Sequence, residues 1–277
     1  MGIFDRMAKG WEISMSCYKV LLSNKQLILF PVLSGFSMLV VLASFVVALF
    51  AGNGWDADMA LSISPAAGYL LLFLMYVVNY FVIVYFNMAL MHCARLYFEG
   101  EEVSISRGLQ FSNCRLGAIF SWAMLAATVG FVLRIIQENA GWLGKIVISI
   151  VGFVWSLSTF FVIPVLAYED LGPVEAAKRS ALIMKEKWGE SLGASFSLSL
   201  FPLLCFLCMG AISFGVTYFI NEGAGIALFV VSLLGIFAVS SALNSIFISA
   251  AYSNINGDIN QHINKQLLDG LFVEKSK

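Results

Sequence analysis

Six long stretches without a charged residue divide this chain of 277 residues. They are 18 to 36 residues long and cover 26–55, 59–94, 116–133, 146–168, 191–221 and 223–257. A helix needs roughly 20 apolar residues to cross a bilayer, so each stretch holds one crossing. We predict an all-α polytopic membrane protein with six transmembrane helices, near 27–51, 67–95, 115–136, 145–168, 191–219 and 225–252.

The composition agrees with a membrane protein and excludes two other classes. Hydrophobic residues make up 60% of the chain, charged residues make up 12%, and the mean hydropathy is +0.88. Soluble domains carry about 25% charged residues, so a soluble globular protein is excluded. The net charge of −1 provides no basic field for nucleic acid, and we expect no nucleic-acid partner.

Lysine and arginine residues predict the orientation. Of the 16 such residues, 14 fall on one side of the six-helix topology, and only Arg134 and Lys145 fall on the other. Positive residues stay on the cytoplasmic side, so both termini are predicted to be cytoplasmic. Arg134 and Lys145 lie at helix ends, where long side chains reach the membrane interface. The charged, mixed sequence 1–25 does not read as a cleavable signal peptide.

Three amphipathic stretches, each followed by two spans, predict a threefold tandem repeat. They cover 11–31, 104–122 and 173–195, and the sequence SNKQL at 23–27 echoes SNCRL at 112–116. We therefore predict three cytoplasmic amphipathic interfacial helices within one membrane domain, 1–277. Its repeat units would be 11–97, 101–170 and 173–253, followed by a cytoplasmic tail, 254–277.

Several short motifs in the second half carry a family resemblance. They are PVLAYED at 164–170, GPVEAAKRS at 172–180, KWG at 187–189 and AYSNI at 251–255. The pattern resembles a family of uncharacterised bacterial six-helix integral membrane proteins. That family is similar in turn to the membrane domain of glycerophosphoryl diester phosphodiesterase and to YciC-type proteins. The resemblance implies the bacterial inner membrane and brings no settled activity. Phosphodiesterase activity is not carried over, because the hydrolase domain of some relatives is not in this sequence.

Neutral polar residues in the predicted spans form a first candidate site. Asn79 and Asn87 lie eight residues apart, near one helix face, and His92 follows close to the cytoplasmic end. Together with Asn244 in the sixth span they form a candidate polar lining for a substrate path. The alternative, which we favour, is hydrogen bonding between helices. The same packing role is favoured for three serines that share a face of the sixth span: Ser241, Ser245 and Ser249.

Basic residues of the third amphipathic stretch form a second candidate site. Four of them occupy its polar positions: Lys178, Arg179, Lys185 and Lys187. The apolar positions Ala177, Ala181 and Met184 recur at helical spacing. A basic amphipathic helix binds anionic lipid headgroups, and a membrane partner would meet the same surface. The alternative is a solvated connector that obeys the positive-inside rule. Pro164 and Pro202 further predict kinks in the fourth and fifth spans. Each kink would either act as a hinge or be tolerated without a functional role.

The sequence contains no motif for catalysis, metal binding or a cofactor. The two histidines are far apart, and Cys205 and Cys208 lie in an apolar run without partner ligands. Disulfides are not expected for the five cysteines, which fall in the membrane or on the cytoplasmic side. We therefore predict a non-enzymatic scaffold or accessory protein whose partners are membrane lipids, another membrane protein or a second copy. The alternative is a carrier or channel for a small apolar or lipid-like molecule.

Overall fold

The computed structural model describes residues 15–52, 64–185 and 192–255, and within these ranges the chain is helical apart from short turns. Residues 15–23 form α1, and a 3₁₀ turn, Lys25–Ile28, leads into the second helix. The remaining helices are α2 Leu29–Gly52, α3 Pro65–Glu99, α4 Ile105–Asn113, α5 Leu116–Asn139, α6 Trp142–Ser158, α7 Val162–Tyr168, α8 Pro173–Ile183, α9 Leu192–Phe219 and α10 Glu222–Ile255. The predicted all-α fold class is confirmed.

Six segments of the described chain are long and apolar enough to cross a membrane. They are Lys25–Gly52, Ala66–Glu99, Leu116–Asn139, Trp142–Tyr168, Pro202–Phe219 and Glu222–Ser253. Their apolar side chains lie largely at the surface: at most 28% of the most apolar window of any segment is buried. A helix that is apolar all round and exposed has lipid as its solvent. The protein is a multi-pass membrane protein with the number and positions of spans that the sequence predicts.

A short helix precedes each pair of spans. Helix α1 comes before the first pair, α4 before the second and α8 before the third. The echoed sequences 23–27 and 112–116 both lie where a short helix ends and a span begins. The order of elements is that of the predicted repeat, and the division into repeat units within a single domain stays a prediction.

The fourth span, which the sequence predicts as one helix with a kink at Pro164, consists of two separate helices, α6 and α7. In a continuous helix the nitrogen of Pro164 would face the carbonyl of Phe160, but proline has no N–H to donate and its ring clashes there. The helix therefore breaks just before Pro164, at a tight turn over 159–161 in which the N–H of Val162 donates to the carbonyl of Thr159 (3.1 Å). Pro202, by contrast, lies inside the unbroken helix α9.

The chain divides into two units. The first unit comprises Met1–Pro31, Leu90–Gly108 and Lys185–Lys277. In its described part, α9 and α10 pack along each other, and α10 also contacts the 3₁₀ turn. Helix α10 begins at Glu222, three residues before the predicted start, because the side-chain oxygen of Asn221 accepts the N–H of Gly223 (2.8 Å). Such an N-cap satisfies a backbone donor that the first helical turn leaves without a partner.

The second unit comprises Val32–Ala89 and Leu109–Met184, and its short helix α8 packs on α5, α6 and α7. The buried face of α8 is formed by Ala176, Ser180 and Ile183. Of the predicted apolar positions, Met184 is buried, whereas Ala177 and Ala181 are only half-buried, so the packed face of α8 is rotated by one residue from the predicted one. The sequence pattern missed this because Ser180, a polar residue, lies at the centre of the packed face.

Candidate functional site

A pocket of about 690 Å³ lies in the second unit, between α3, α5 and α6. This volume is in the range of small-molecule sites, roughly 300–1,000 Å³. The end nearest the α5–α6 turn is lined by charged and amide side chains: Arg134, Gln137, Glu138 and Lys145. Farther along the helices, the walls include Leu133, Ile148 and Trp155. The pocket is therefore polar at one end and apolar at the other.

Arg134 is held in place by two neighbours. Its Nε donates to Glu138 Oε1 (2.8 Å), and its Nη1 donates to Tyr76 Oη (3.2 Å). A guanidinium has five N–H donors, so most of its donor capacity remains beyond these two bonds. The pair with Glu138 spans one turn of α5, which fixes the side chain along the helix, and the bond to Tyr76 ties it to α3.

Lys145 provides the second positive charge of the pocket. It lies in the first turn of α6 and is exposed, and no carboxylate of the described residues forms an ion pair with it. Two cations against the single carboxylate of Glu138 leave the lining with a formal charge of +1. The electrostatics of this end therefore favour an anion.

Two glycines and a tryptophan pair shape the apolar end. A Cβ on Gly130 would lie 3.3 Å from Tyr80 Oη, a tight contact that would push the tyrosine ring away from α5 by a few tenths of an ångström, whereas a Cβ on Gly152 would meet no atom within 4 Å. Trp155 stacks on Trp122 with ring centroids 6.1 Å apart. From Lys145 to Ser156 the pocket follows α6 for about 17 Å, which is over half the thickness of a bilayer core.

From the sequence alone, Arg134 and Lys145 are predicted only as residues of the membrane interface. A signal for the site was present: they are the two positive residues outside the predicted cytoplasmic set, and they flank one short turn between spans. The residues of α3 that complete the pocket, Tyr76 and Tyr80, are ordinary aromatic residues in the sequence. Only helix packing brings them to this position.

The predicted polar lining is distributed between the two units. In the second unit, Asn79 is half-buried and its Nδ2 donates to the carbonyl of Met75 in its own helix (2.7 Å), and Asn87 is half-buried. In the first unit, His92 is half-buried and Asn244 is exposed. None of the four lines the pocket described above, and the substrate path that they were predicted to form stays a prediction.

The serine face of the sixth span packs against another helix. Ser245 and Ser249 are both 3% exposed, and Ser249 Oγ donates to the carbonyl of Met91 in α3 (3.0 Å). Ser241 is half-buried. These contacts support the packing interpretation, in which small hydroxyl residues let helices approach and hydrogen bond.

The first unit has a second, mostly apolar pocket of about 560 Å³. It lies between α1, the 3₁₀ turn, α9 and α10, and its few polar side chains include Tyr18 and Lys25. Cys205 is one of its lining residues, while Cys208 is exposed elsewhere on α9. Within the described residues, no three histidine, cysteine or acidic side chains are grouped as a metal site requires.

The predicted headgroup contacts differ in their surroundings. Lys178 and Lys185 are exposed, whereas the Nε of Arg179 donates to both oxygens of Glu169, at 3.2 and 2.9 Å. Arg179 therefore joins α8 to the end of α7. Lys187 lies outside the described residues.

Lys178 belongs to an exposed stripe on α8 that is formed by Val174, Lys178 and Leu182. The spacing of four residues puts them on one face, and Val174 and Leu182 are 45% and 50% exposed. The first short helix has the same arrangement. A stripe on α1 is formed by the exposed residues Met15, Lys19 and Leu22. Met15 and Leu22 are 42% and 51% exposed.

The motif PVLAYED–GPVEAAKRS forms the corner between α7 and α8. Pro164 breaks the fourth span, and the N–H of Phe161 that the break releases donates to Ser180 Oγ (2.9 Å). Asp170 adopts a left-handed conformation (φ 52°) and pairs loosely with Arg115 (3.6 Å). Gly172 and Pro173 then start α8. The motif that carries the family resemblance thus has a structural role here.

The model of a family of unknown function, DUF6159, matches residues 66–260. The chain belongs to this family. The DUF6159 match begins in α3 and covers spans two to six, including the helices that form the pocket in the second unit and the corner at α7 and α8. The expectation of an uncharacterised membrane-protein family is confirmed. A comparison with curated proteins gave no match.

Proposed function

We propose that this protein is a non-enzymatic scaffold or accessory protein of the membrane that interacts with lipids, or with a membrane partner, through its short helices. The observation that carries the proposal is the pair of exposed stripes on α1 and α8. In each, a lysine stands between two apolar side chains that are 42% to 51% exposed. Water disfavours such apolar exposure, while the membrane interface accommodates both the apolar groups and the lysine.

Fluorescence quenching by lipid-attached nitroxides tests whether the stripes lie in the membrane interface. A bimane label on Leu182→Cys, in a full chain without other cysteines, is expected to be quenched at least about threefold more strongly than one on Glu102→Cys. Leu182 is on the stripe, and interfacial helices bury their apolar face about 5–10 Å into the boundary between headgroups and acyl chains, whereas Glu102 is an exposed residue of the turn before α4. Equal quenching at both positions would contradict the proposal and favour a solvated connector.

A second candidate function is that of a carrier for a small lipid-like molecule. It is favoured by one observation, the pocket of about 690 Å³ that combines a charged end with an apolar end. Movement of a fluorescent lipid analogue across the bilayer of protein-containing vesicles would distinguish a carrier from an accessory protein, because only the carrier raises the rate of transfer.

The proposed location is the bacterial inner membrane, with both termini in the cytoplasm. The orientation rests on the distribution of lysine and arginine, with 14 of 16 on one side, and the bacterial inner membrane rests on the family resemblance. The likeness to YciC-type proteins and to the phosphodiesterase membrane domain is part of the same proposal and rests on the motifs at 164–170, 172–180, 187–189 and 251–255.

Cysteine labelling in intact cells tests the orientation. Cys114 is exposed in the turn between α4 and α5, so a membrane-impermeant maleimide is expected to label it only after the cells are permeabilised. Gly141→Cys, in the turn between α5 and α6 of a variant with Cys114→Ser, is expected to react in intact cells. Cys17 does not interfere, because burial raises the pKa of its thiol to about 12 and only the thiolate reacts. Labelling of Cys114 in intact cells would reverse the proposed orientation.

A further inference from the structure

We propose that the pocket between α3, α5 and α6 binds the phosphate headgroup of an anionic phospholipid, with Arg134 and Lys145 as its cationic contacts. The inference goes beyond the proposed function and does not depend on it, because neither stripe contributes a residue to this pocket.

The charged end of the pocket has the chemistry of a phosphate site. Arginine recognises phosphate through paired N–H donors, and lysine adds a point charge. Glu138 and Tyr76 hold the guanidinium at 2.8 and 3.2 Å, so little side-chain freedom is lost on binding. Lys145 is exposed and has no carboxylate partner in the part of the chain that the structure describes, and its ammonium is available to the ligand.

The remainder of the pocket fits the chain of an amphiphile rather than a free anion. Leu133, Ile148 and Trp155 line it beyond the charged end. The serine hydroxyls there are satisfied within α6: Ser149 Oγ donates to the carbonyl of Lys145 (2.8 Å), and Ser156 Oγ donates to the carbonyl of Gly152 (3.0 Å). A ligand at this depth therefore meets mainly apolar and aromatic surface.

The pocket is also accessible from the surrounding lipid. Its lining residues Ser149 and Ser156 are exposed, and so are the apolar residues Val151 and Phe153 (48% and 59%) on either side of the lining residue Gly152. A phospholipid in contact with these residues has its phosphate near the helix end and its chains along the helix.

Titration of the purified full chain, followed by native mass spectrometry, tests the proposal with three probes: phosphatidylglycerol, phosphatidylcholine and inorganic phosphate. We expect one phosphatidylglycerol to bind at least about tenfold more tightly than phosphatidylcholine, because only the former keeps a net negative charge for the two cations. Inorganic phosphate, which lacks chains, is expected not to displace it at equal concentration. Displacement by phosphate would overturn the lipid assignment in favour of a site for free phosphate.

Two variants and a matched control decide whether this pocket is the site. Arg134→Gln is expected to weaken phosphatidylglycerol binding about tenfold. Arg107→Gln is the control, because the side chain of Arg107 is similarly exposed (51% against 45% for Arg134) and also pairs with one glutamate. Phosphatidylglycerol binding by this variant should stay unchanged. Gly152→Leu fills open space at the pocket wall and should abolish binding while keeping both charges. Full binding by Gly152→Leu, or equal loss in both arginine variants, would overturn the proposal.

Discussion

Replacing Gly225 with alanine is expected to destabilise the α9–α10 hairpin by about 3 kcal/mol, the upper range for overpacking in a core. A Cβ at this position would overlap Thr217 Oγ1 and would lie 2.6 Å from the backbone nitrogen of Thr217 and 2.8 Å from the carbonyl oxygen of Ser213. The last two atoms belong to the backbone of α9, so no side-chain rotation relieves the clash. The two helices would have to move apart, and their packing along the hairpin would be lost.

The control for this prediction is Gly235→Ala in the same helix. A Cβ on Gly235 would meet nothing within 4 Å, and alanine is a better helix former than glycine by about 1 kcal/mol. Gly235→Ala should therefore be neutral or slightly stabilising. Thermal unfolding in detergent measures both variants, and an unchanged melting temperature for Gly225→Ala would show that α9 and α10 do not approach this closely in the protein.

The spans could be predicted from the sequence because the physical requirement behind them is simple. A bilayer demands about 20 apolar residues without a charge, and the chain satisfies this six times. Details that depend on local hydrogen bonding could not be read in the same way. The start of α10 at Glu222 depends on a hydrogen bond to the side chain of Asn221. The complete break at Pro164 depends on a partner for the backbone N–H of Phe161, which Ser180 provides from another helix.

The candidate pocket was harder to predict than the fold because its residues come from three helices. In the sequence, amides and histidines in span interiors are the informative candidates, because a polar residue is costly there. Asn79, the clearest such residue, satisfies its side chain within its own helix. Arg134 lies near a helix end, where an arginine is unremarkable, and only the packing of Tyr76 and Tyr80 beside it marks the position as a pocket.

Replacing Ser180 with alanine is expected to destabilise the second unit by about 1–3 kcal/mol, the cost of leaving a buried donor without a partner. Ser180 is fully buried, and its Oγ accepts the N–H of Phe161, itself fully buried at the break between α6 and α7. The control is Ser156→Ala, since Ser156 is exposed and its hydroxyl bonds only to its own helix. Chemical unfolding in mixed detergent should show a change within about 0.5 kcal/mol for Ser156→Ala.

A double-mutant cycle with Pro164 tests the reason for this cost. With Pro164→Ala, residue 164 regains an N–H for the carbonyl of Phe160, and the N–H of Phe161 can return to the carbonyl of Leu157 in a continuous helix. Ser180 would then have no donor to satisfy. The double variant Pro164→Ala/Ser180→Ala should therefore lose less stability than the sum of the single variants, by about 1 kcal/mol or more. Additive losses would show that Ser180 stabilises α8 by packing alone, and that Pro164 and Ser180 act independently in the corner that carries the family motif.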